Sequence, residues 1–149
     1  KEWSKIAGLI VNTKPTLNVS QKDKDLAVNL IQEELDELKE ALENNDLVEI
    51  IDAINDLRWV IERASLTFGV PQESFAELVA SNYTKFCSNI NEAIDTVEAY
   101  DKGLHPNKPG QRIKTIIENL DEKNILVKSI DGKLLKSINF IDCDYKRYL

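Results

Sequence analysis

The sequence is poor in the residues commonly used for nucleophilic or zinc chemistry. It has one histidine, two cysteines and no methionine among 149 residues. Cys87 and Cys143 are isolated, with no CxxC pair and no zinc-ligand spacing, so we expect two ordinary reduced thiols. His105 lies in a loop rich in proline and glycine, GLHPNKPG, and we expect it to be exposed. These absences argue against a His-dependent triad and against a histidine-rich metal site.

Long apolar stretches and positive charge are also scarce. No apolar run approaches the roughly 18 residues that a membrane-spanning helix requires, and no signal-peptide pattern opens the sequence. The 26 Asp and Glu outnumber the 19 Lys and Arg, which gives a net charge of −7 and a pI of about 4.8. An acidic surface repels phosphate backbones and anionic lipids. We therefore expect a cytoplasmic protein that binds neither nucleic acid nor a membrane.

Helical periodicity dominates the first two thirds of the chain. The spacing of apolar residues predicts a short helix over residues 2–11 and longer helices over 21–44, 47–68 and 72–87. A further helix is expected in SNINEAIDTVEAY. Predicted boundary residues are Ser20, with Asp23 in a capping box, Asp46 and either Ser88 or Asn89 as N-caps, and Gly69 as a C-cap.

The last third changes character. RIKTIIENLDEK is compatible with one more helix, and the tail ILVKSIDGKLLKSINF contains two β-type runs. Asp131-Gly132 between those runs is a dipeptide typical of two-residue hairpin turns. We therefore expect an all-α fold, with an antiparallel four-helix core and a small C-terminal β-hairpin. The chain is predicted to form one domain over residues 1–149, with its helical core at about 1–102 and the appendage at about 125–140.

The helix predicted over residues 21–44 carries two acids on its apolar side. At about 100° per residue, Glu34 falls near the middle of the apolar arc and Glu37 lies inside it. A carboxylate that points into an apolar interface is costly unless a positive charge meets it. The arc is formed by Leu26, Leu30, Ile31, Leu35, Leu38, Ala41 and Leu42, and the opposite side carries Glu33, Asp36, Lys39, Glu40 and Glu43.

The next predicted helix carries a second acidic strip. Glu49, Asp52 and Asp56 share a strip roughly 60° wide, which borders the apolar face of this helix. Two like charges about 6 Å apart repel by roughly 3 kcal/mol at an effective dielectric near 20. Protons, basic side chains or bound cations must relieve such a cluster. Carboxylate oxygens in this number suit Mg²⁺, or alternatively Mn²⁺, better than zinc. An ordinary solvated acidic surface is the alternative interpretation.

Two polar residues on the fourth predicted helix complete the candidate site. Asn82 falls on the apolar face formed by Phe75, Leu78, Val79, Tyr83 and Phe86, and Lys85 lies at the edge of that face. A buried amide needs hydrogen-bond partners. One interpretation is that Lys85 binds a phosphate and Asn82 a base, sugar or phosphate oxygen. The other is that Lys85 is a simple counter-ion to the acids.

The order of these motifs resembles that of the MazG-like all-α nucleoside triphosphate pyrophosphohydrolases, and phage-type members most closely. The resemblance rests on LIQEELDELKEA, DAINDLRWVIERASLTFG, SNYTK and the tail DGKLLKSINF. It covers roughly residues 20–90 and the predicted hairpin. A single ExxE motif is a weak signal, whereas an ordered set of motifs is more specific.

The resemblance implies a fold, a reaction and a set of ligands. The implied fold is the all-α NTP pyrophosphatase type, assembled as a homodimer or homotetramer. The implied reaction is cleavage of a nucleoside triphosphate between the α- and β-phosphates by metal-activated water, with release of nucleoside monophosphate and pyrophosphate. Glu34 and Glu37 correspond to the first acidic motif, which binds Mg²⁺. Asn82 and Lys85 correspond to substrate-binding residues.

The second acidic motif can be aligned in two ways. Glu49 and Asp52 fit an ExxD spacing. Counting back from Phe68-Gly69-Val70 instead assigns the aspartate of the motif to Asp56, with Ala53 in the glutamate position and Asp52 as its substitute. All three acids therefore stay candidates for metal binding.

Two other functions fit the same residues. A phosphoribosyl-ATP pyrophosphohydrolase shares the general fold and the cleaved bond. A non-enzymatic alternative is a helical interaction domain whose acidic strips bind a basic partner, and such a domain should show no large stabilisation by Mg²⁺. The sequence leaves open the base and sugar specificity, because contacts to the base are few and lie on loops.

Overall fold

The structure is a computed structural model that describes residues 2–119, 121 and 124–149. It is mostly helical, with a small antiparallel hairpin, and the predicted fold class is confirmed. In the described part of the chain, no helix has both the length and the apolar character that a bilayer span needs. The elements are α1 (Glu2–Ile6), α2 (Gln21–Asn44), α3 (Leu47–Phe68), α4 (Gln72–Tyr83), α5 (Ile90–Lys102), β1 (Thr115–Asn119) and β2 (Ile125–Ser129), followed by a short 3-10 turn (Tyr145–Tyr148).

The bounds of α2 and α3 follow from local hydrogen bonds at their ends. The Ser20 hydroxyl accepts a hydrogen bond from the backbone N–H of Asp23 at 3.2 Å and donates one to the Asp23 carboxylate. Asp46 caps α3 by accepting from the N–H groups of Val48 and Glu49. Asn45 between the helices has a left-handed φ of 55°, which asparagine tolerates better than most residues. The predicted N-caps of both helices are confirmed.

The chain divides into two compact units. The first contains residues 1–72 and 145–149, and the second contains residues 73–144. In the first unit α2 packs along α3. The connection between them is so short that the two helices run antiparallel. The expectation of one domain over residues 1–149 stays a prediction.

The segment before α2 closes the C-terminal end of α3. Backbone N–H groups of Asn12 and Thr16 donate to the carbonyls of Leu66 and Phe68, at 2.9 and 3.0 Å. Gly69 ends α3 with a φ of 68°, and a Cβ at this position would lie 2.0 Å from the carbonyl oxygen of Lys14. Glycine is therefore required here both for its positive φ and for the close approach of the two backbones.

The second unit is built from α5 and the hairpin. β1 pairs antiparallel with β2, with Thr115 opposite Ser129 and Ile117 opposite Val127. α5 packs against both strands. Its N-cap is Asn89, one of the two predicted residues, which accepts from the N–H of Glu92 at 3.0 Å. The core of this unit consists of Cys87, Ala93, Tyr100, Ile125, Val127 and Leu135.

The hairpin has a different partner strand from the one expected. The segment 112–123 was predicted as a helix, but the structure has β1 there, and residues 120, 122 and 123 of that segment lie outside the described residues. The β-branched run Thr115-Ile116-Ile117 favours a strand once β2 supplies backbone partners. The turn at Asp131-Gly132 exists, with Gly132 N–H donating to Ser129 O at 2.8 Å. After this turn the chain forms an isolated bridge at Leu134 instead of a strand.

Two helices are shorter than their apolar patterns suggest. α1 ends at Ile6 and Gly8 follows with a φ of 68°. α4 ends at Tyr83 because Thr84 and Cys87 have partners elsewhere in their unit. The Thr84 hydroxyl accepts from the N–H of Ile141 at 2.9 Å, and Cys87 forms a bridge with Ile125. Such pairing requires the chain to leave the helix before residue 87.

His105 is buried, which contradicts the expectation of an exposed loop residue. Its ring stacks on Tyr100 with the centroids 4.0 Å apart, and Nδ1 accepts from the N–H of Asn107 at 3.2 Å. Nε2 is buried and has no hydrogen-bond partner among the described residues. Burial lowers the pKa of His105, and the backbone carbonyls of Ser137 and Lys136 partly oppose this effect. Loop composition carries no signal of this long-range stacking.

Burial of neutral His105 predicts a specific pH dependence of stability. Its folded-state pKa is lowered, so below the ordinary value of 6.5 the unfolded chain takes up a proton that the folded chain does not. The free energy of unfolding should therefore fall as the pH drops below that value, by up to about 1.4 kcal/mol per pH unit. His105→Gln should flatten this slope in urea unfolding between about pH 7 and 5. Equal slopes for the variant and the parent protein would contradict the assignment.

Candidate active site

The acids singled out in the sequence lie on the two helices that pack together in the first unit. Glu34 lies eleven residues before Asn45, and Asp56 lies eleven residues after it. With a rise of 1.5 Å per residue, both acids are roughly 16 Å from the turn. Since α2 and α3 are antiparallel, Glu34 and Asp56 are level with each other along the pair. Glu37 and Asp52 occupy the next positions toward the turn.

Neighbouring acids affect the ionisation of Glu34. The pKa of Glu34 is raised, first by burial and then by repulsion from Glu37, Asp56, Glu33 and Asp52. Repulsion from Asp52 and Asp56 crosses from α3 to α2, so the structure brings the two predicted acidic motifs together. Both aspartates contribute to this effect, and Glu49 is not among its causes.

One oxygen of this cluster is in an unusual state. Oε2 of Glu34 is buried and has no hydrogen-bond partner among the described residues. A buried polar atom without a partner costs about 1–3 kcal/mol, and more when it is charged. Glu34 is half-buried, Asp56 is half-buried, and Glu37 and Asp52 are exposed. The arrangement therefore leaves an acceptor in the packed face, surrounded by negative charge and without a positive partner.

The side chains of these residues have the right chemistry for a divalent cation, but their positions do not form a complete ligand set. The cluster offers hard carboxylate oxygens, which Mg²⁺ prefers. Nevertheless, within the described residues no three His, Cys, Asp or Glu side chains converge closely enough to hold a metal ion. Electrostatic repulsion acts over longer distances than metal ligation, so acids that raise the pKa of Glu34 need not lie within ligating distance of one ion.

The other predicted residues lie apart from this cluster or belong to the second unit. Glu49 is exposed in the first turn of α3, where its backbone N–H donates to Asp46. Asn82 is in the last turn of α4 and is exposed, so the expectation of a buried amide is wrong. The apolar face of α4 is itself exposed, with Phe75 and Tyr83 each 69% accessible. Lys85 is half-buried in the turn that follows α4, beyond the end of the helix.

A cavity that the sequence did not reveal continues the acidic strip. It has a volume of about 190 Å³ and lies in the first unit, between residues 8–10, α2 and α3. Its charged lining residues are Lys22, Asp23 and Arg63. Helical spacing could have indicated part of this cavity. Leu26 and Leu30 precede Glu34 at four-residue intervals on α2, so the three residues share one face of the helix. Residues 8–10, which also line the cavity, lie outside the helices, so the helical periodicity of the sequence does not predict their contribution to the lining.

A larger cleft lies in the second unit. It has a volume of about 710 Å³ and is lined partly by Glu92, Asp95, Glu98 and Lys102. Three of these four charged side chains have partners, since Glu92 accepts from Ser88 and Glu98 pairs with Lys102 at 2.6 Å. None of the predicted site residues lines it. We assign it no chemical role.

Comparison with known proteins supports a function for the first half of the chain. No curated protein and no solved structure gives a significant match. The family model of phosphoribosyl-ATP pyrophosphohydrolase matches residues 11–82, just under half of the chain. The matched segment contains α2, α3 and most of α4, and with them all five candidate metal-binding acids. Residues 11–82 are thus similar to the phosphoribosyl-ATP pyrophosphohydrolases, within the MazG-like all-α superfamily, and this similarity indicates a pyrophosphohydrolase.

Proposed function

We propose that this protein is a Mg²⁺-dependent pyrophosphohydrolase that cleaves nucleoside triphosphates between the α- and β-phosphates. The observation that carries the proposal is the unpartnered, buried Oε2 of Glu34 among mutually repelling carboxylates. A purely structural acid would have a donor or a basic neighbour. A site that is completed by a cation and the substrate explains why Oε2 of Glu34 has neither a hydrogen-bond donor nor a basic neighbour among the described residues.

The acids of the cluster share one task in this proposal, which is to bind the metal. Glu34 and Glu37 on α2, with Asp52 and Asp56 on α3, would hold the metal, and Glu49 is a further candidate at the N-terminal end of α3. When bound, Mg²⁺ supplies neutralisation of the phosphate charge and a water of lowered pKa. Mn²⁺ has the same preference for oxygen ligands and is an expected substitute. Because α2 and α3 pack antiparallel, carboxylates of both acidic motifs lie at the same position along the axes of the two helices.

The net charge of −7 bears on how a triphosphate could bind. An anionic substrate and an acidic surface repel each other, so binding requires intervening cations. The resemblance to the superfamily assigns Lys85 to a phosphate oxygen and Asn82 to a base, sugar or phosphate oxygen. Asn82 is exposed and Lys85 is half-buried. The tail GKLLKS supports a phage-type member of the superfamily.

A phosphoribosyl-ATP pyrophosphohydrolase is the second candidate. The specific observation in its favour is the matching family model, whose description names this substrate. The two candidates share the cleaved bond and the metal-binding acids, and they differ in what lies beyond the nucleoside. Product analysis on both substrates therefore separates them.

We also propose that the protein is a homodimer or homotetramer. Six large apolar residues of α3 are between 44% and 72% exposed, which is unusual for a helix of a monomeric protein. Trp59 packs edge-on against Trp3, at 5.1 Å between centroids, yet stays 52% exposed. The six residues are Leu47, Val48, Ile51, Ile54, Trp59 and Ile61.

The central test is product identification with a variant of the first acidic motif. With nucleoside triphosphates and Mg²⁺, the products should be nucleoside monophosphate and pyrophosphate, without orthophosphate. Glu37→Gln should keep the helix, because both residues have similar helix propensity. It should lower turnover at least about tenfold, since one anionic metal ligand is lost.

Glu40→Gln is the matched control for this experiment. Glu40 lies on the same helix but on its solvated side, so the variant should keep nearly full turnover. Orthophosphate as the product would refute the proposed reaction. Equal turnover of Glu37→Gln and Glu40→Gln would refute the acidic cluster as the active site.

Glu34→Gln should change stability in opposite directions with and without metal. The pKa of Glu34 is raised in the folded state, so the metal-free protein loses stability as the pH rises through the range between the unfolded and folded values. The variant lacks this loss and should melt at a higher temperature than the parent at neutral pH without metal. Addition of Mg²⁺ should stabilise the parent more than the variant. A Glu34→Gln variant that melts like Glu40→Gln in both conditions would contradict a metal-binding role.

The oligomer is tested by light scattering at micromolar concentration. We expect a dimer or tetramer for the parent chain. Ile51→Asp places a charge on the exposed apolar face of α3 and should shift the population toward monomer, while circular dichroism should stay helical because Ile51 is 54% exposed. A parent protein that is a monodisperse monomer would reject the proposal.

A further inference from the structure

We propose that the outer edge of β1, the side that faces away from β2, binds the β1 strand of a second copy of this chain. The two strands would run antiparallel about a two-fold axis at Ile116 and join two hairpins into one sheet. This contact lies in the second unit and is separate from the exposed apolar face of α3 in the first unit. The inference goes beyond the proposed function, because it rests on the hairpin and not on the acidic cluster.

The hydrogen bonds of β2 show which backbone groups of β1 point outward. The carbonyl of Val127 accepts from the N–H of Leu135 at 2.9 Å, so it points away from β1. Val127 lies opposite Ile117. Opposite residues of an antiparallel pair either both bond across the ladder or both point away from it, and the two states alternate along the strand. Ile117 and Thr115 therefore direct their N–H and carbonyl groups to the outer edge.

The outer edge of β1 is open. Among the described residues, the outward N–H and carbonyl groups of Thr115 and Ile117 have no hydrogen-bond partner. The side chains are accessible as well, with Ile116 48% and Ile117 39% exposed. β1 pairs with β2 in a continuous register and contains no proline, so it lacks two of the features that protect edge strands. Such an edge is a template for another strand.

The side chains of β1 favour a second copy as the occupant. An axis at Ile116 places this residue opposite its own counterpart, and it places Lys114 of each copy opposite Glu118 of the other. The three residues are exposed and share one face of the strand, since side chains alternate between faces. Opposite charges and apolar pairs stabilise facing strands. Glu118 already accepts from Lys128 at 2.5 Å, and its carboxylate has a second oxygen for the lysine of the other copy.

The two neighbouring registers fit less well. An axis at Ile117 would place an isoleucine opposite the charged Glu118. An axis at Thr115 would require the N–H of Ile113 to bond across the interface, but this group donates to the carbonyl of Tyr100 at 3.2 Å within its own chain. The proposed register uses only backbone groups that are free among the described residues.

The local charge of the edge also permits the contact. Two copies of a chain with a net charge of −7 repel each other over most of their surfaces. Residues 112–118 are an exception, because they carry Arg112, Lys114 and Glu118 and are not negative overall. The edge alone gives a dimer. Together with the proposed contact on α3 it gives a tetramer, because two different two-fold contacts on each chain link two dimers.

The first test reverses charges in the full chain. All variants carry Ile51→Asp, so that the α3 contact does not contribute. Lys114→Glu and Glu118→Lys each place like charges opposite one another, and each should raise the dissociation constant at least about tenfold in sedimentation at low ionic strength. A mixture of the two variants should associate nearly as well as the Ile51→Asp chain, because every facing pair in the mixed dimer has opposite charges. Lys108→Glu, at an exposed lysine outside β1, is the control and should have no effect.

The second test uses cysteine cross-linking to check the register. Ile116→Cys places two thiols opposite each other at the axis, where the Cα atoms of a non-hydrogen-bonded pair are about 4.5 Å apart and within reach of a disulfide. Oxidation should join this variant into a covalent dimer on non-reducing electrophoresis. Glu118→Cys lies opposite a lysine and should cross-link no more than the parent chain.

The outcomes separate a second copy from other occupants. An Ile51→Asp chain that is monomeric at micromolar concentration would leave the edge to a strand of another protein and would overturn the proposal. Equal association of Lys114→Glu and Lys108→Glu, or a mixture of the charge-reversed variants that stays dissociated, would also overturn it. If circular dichroism shows that a charge-reversed variant does not fold, the cross-link decides: equal cross-linking of Ile116→Cys and Glu118→Cys would refute the paired edge.

Discussion

The antiparallel packing of α2 on α3 is the constraint on which the candidate site depends. A connection of two residues, with Asn45 in the left-handed region and Asp46 as the cap of α3, fixes the relative level of the two helices. This level brings the acids of one motif opposite those of the other, and it aligns the cavity with both. A turn of a different length would shift α2 along α3 and separate Glu34 from Asp56.

The same packing creates an electrostatic conflict that the fold tolerates. Glu34 is held in a partly apolar interface where four other carboxylates raise its pKa. In a marginally stable domain such repulsion is a considerable cost. This repulsion explains why the proposed site depends on a cation, because a bound cation would offset the negative charge around Glu34. The proposed metal ligand Glu34 would therefore link activity and stability, because burial and neighbouring carboxylates raise its pKa.

Charge is distributed unevenly along the α2–α3 pair. Most acids of the pair lie in the half nearer the connecting turn, whereas Lys22 and Arg63 lie in the opposite half, beside residues 8–10.

The sequence alone determined α2 and α3, their caps and the position of the first acidic motif, because these depend on interactions within a few residues. Apolar spacing defines a helix face, and Ser20, Asp46 and Gly69 act on adjacent backbone groups. Only the tertiary structure decided that residues 115–119 form a strand, that His105 is buried on Tyr100, and that Lys22 and Arg63 line one cavity. Each of these depends on partners distant in the chain, which local patterns do not encode. Helical periodicity likewise leaves Glu49 and Asp56 as alternatives, and Asp56, but not Glu49, is among the acids that raise the pKa of Glu34.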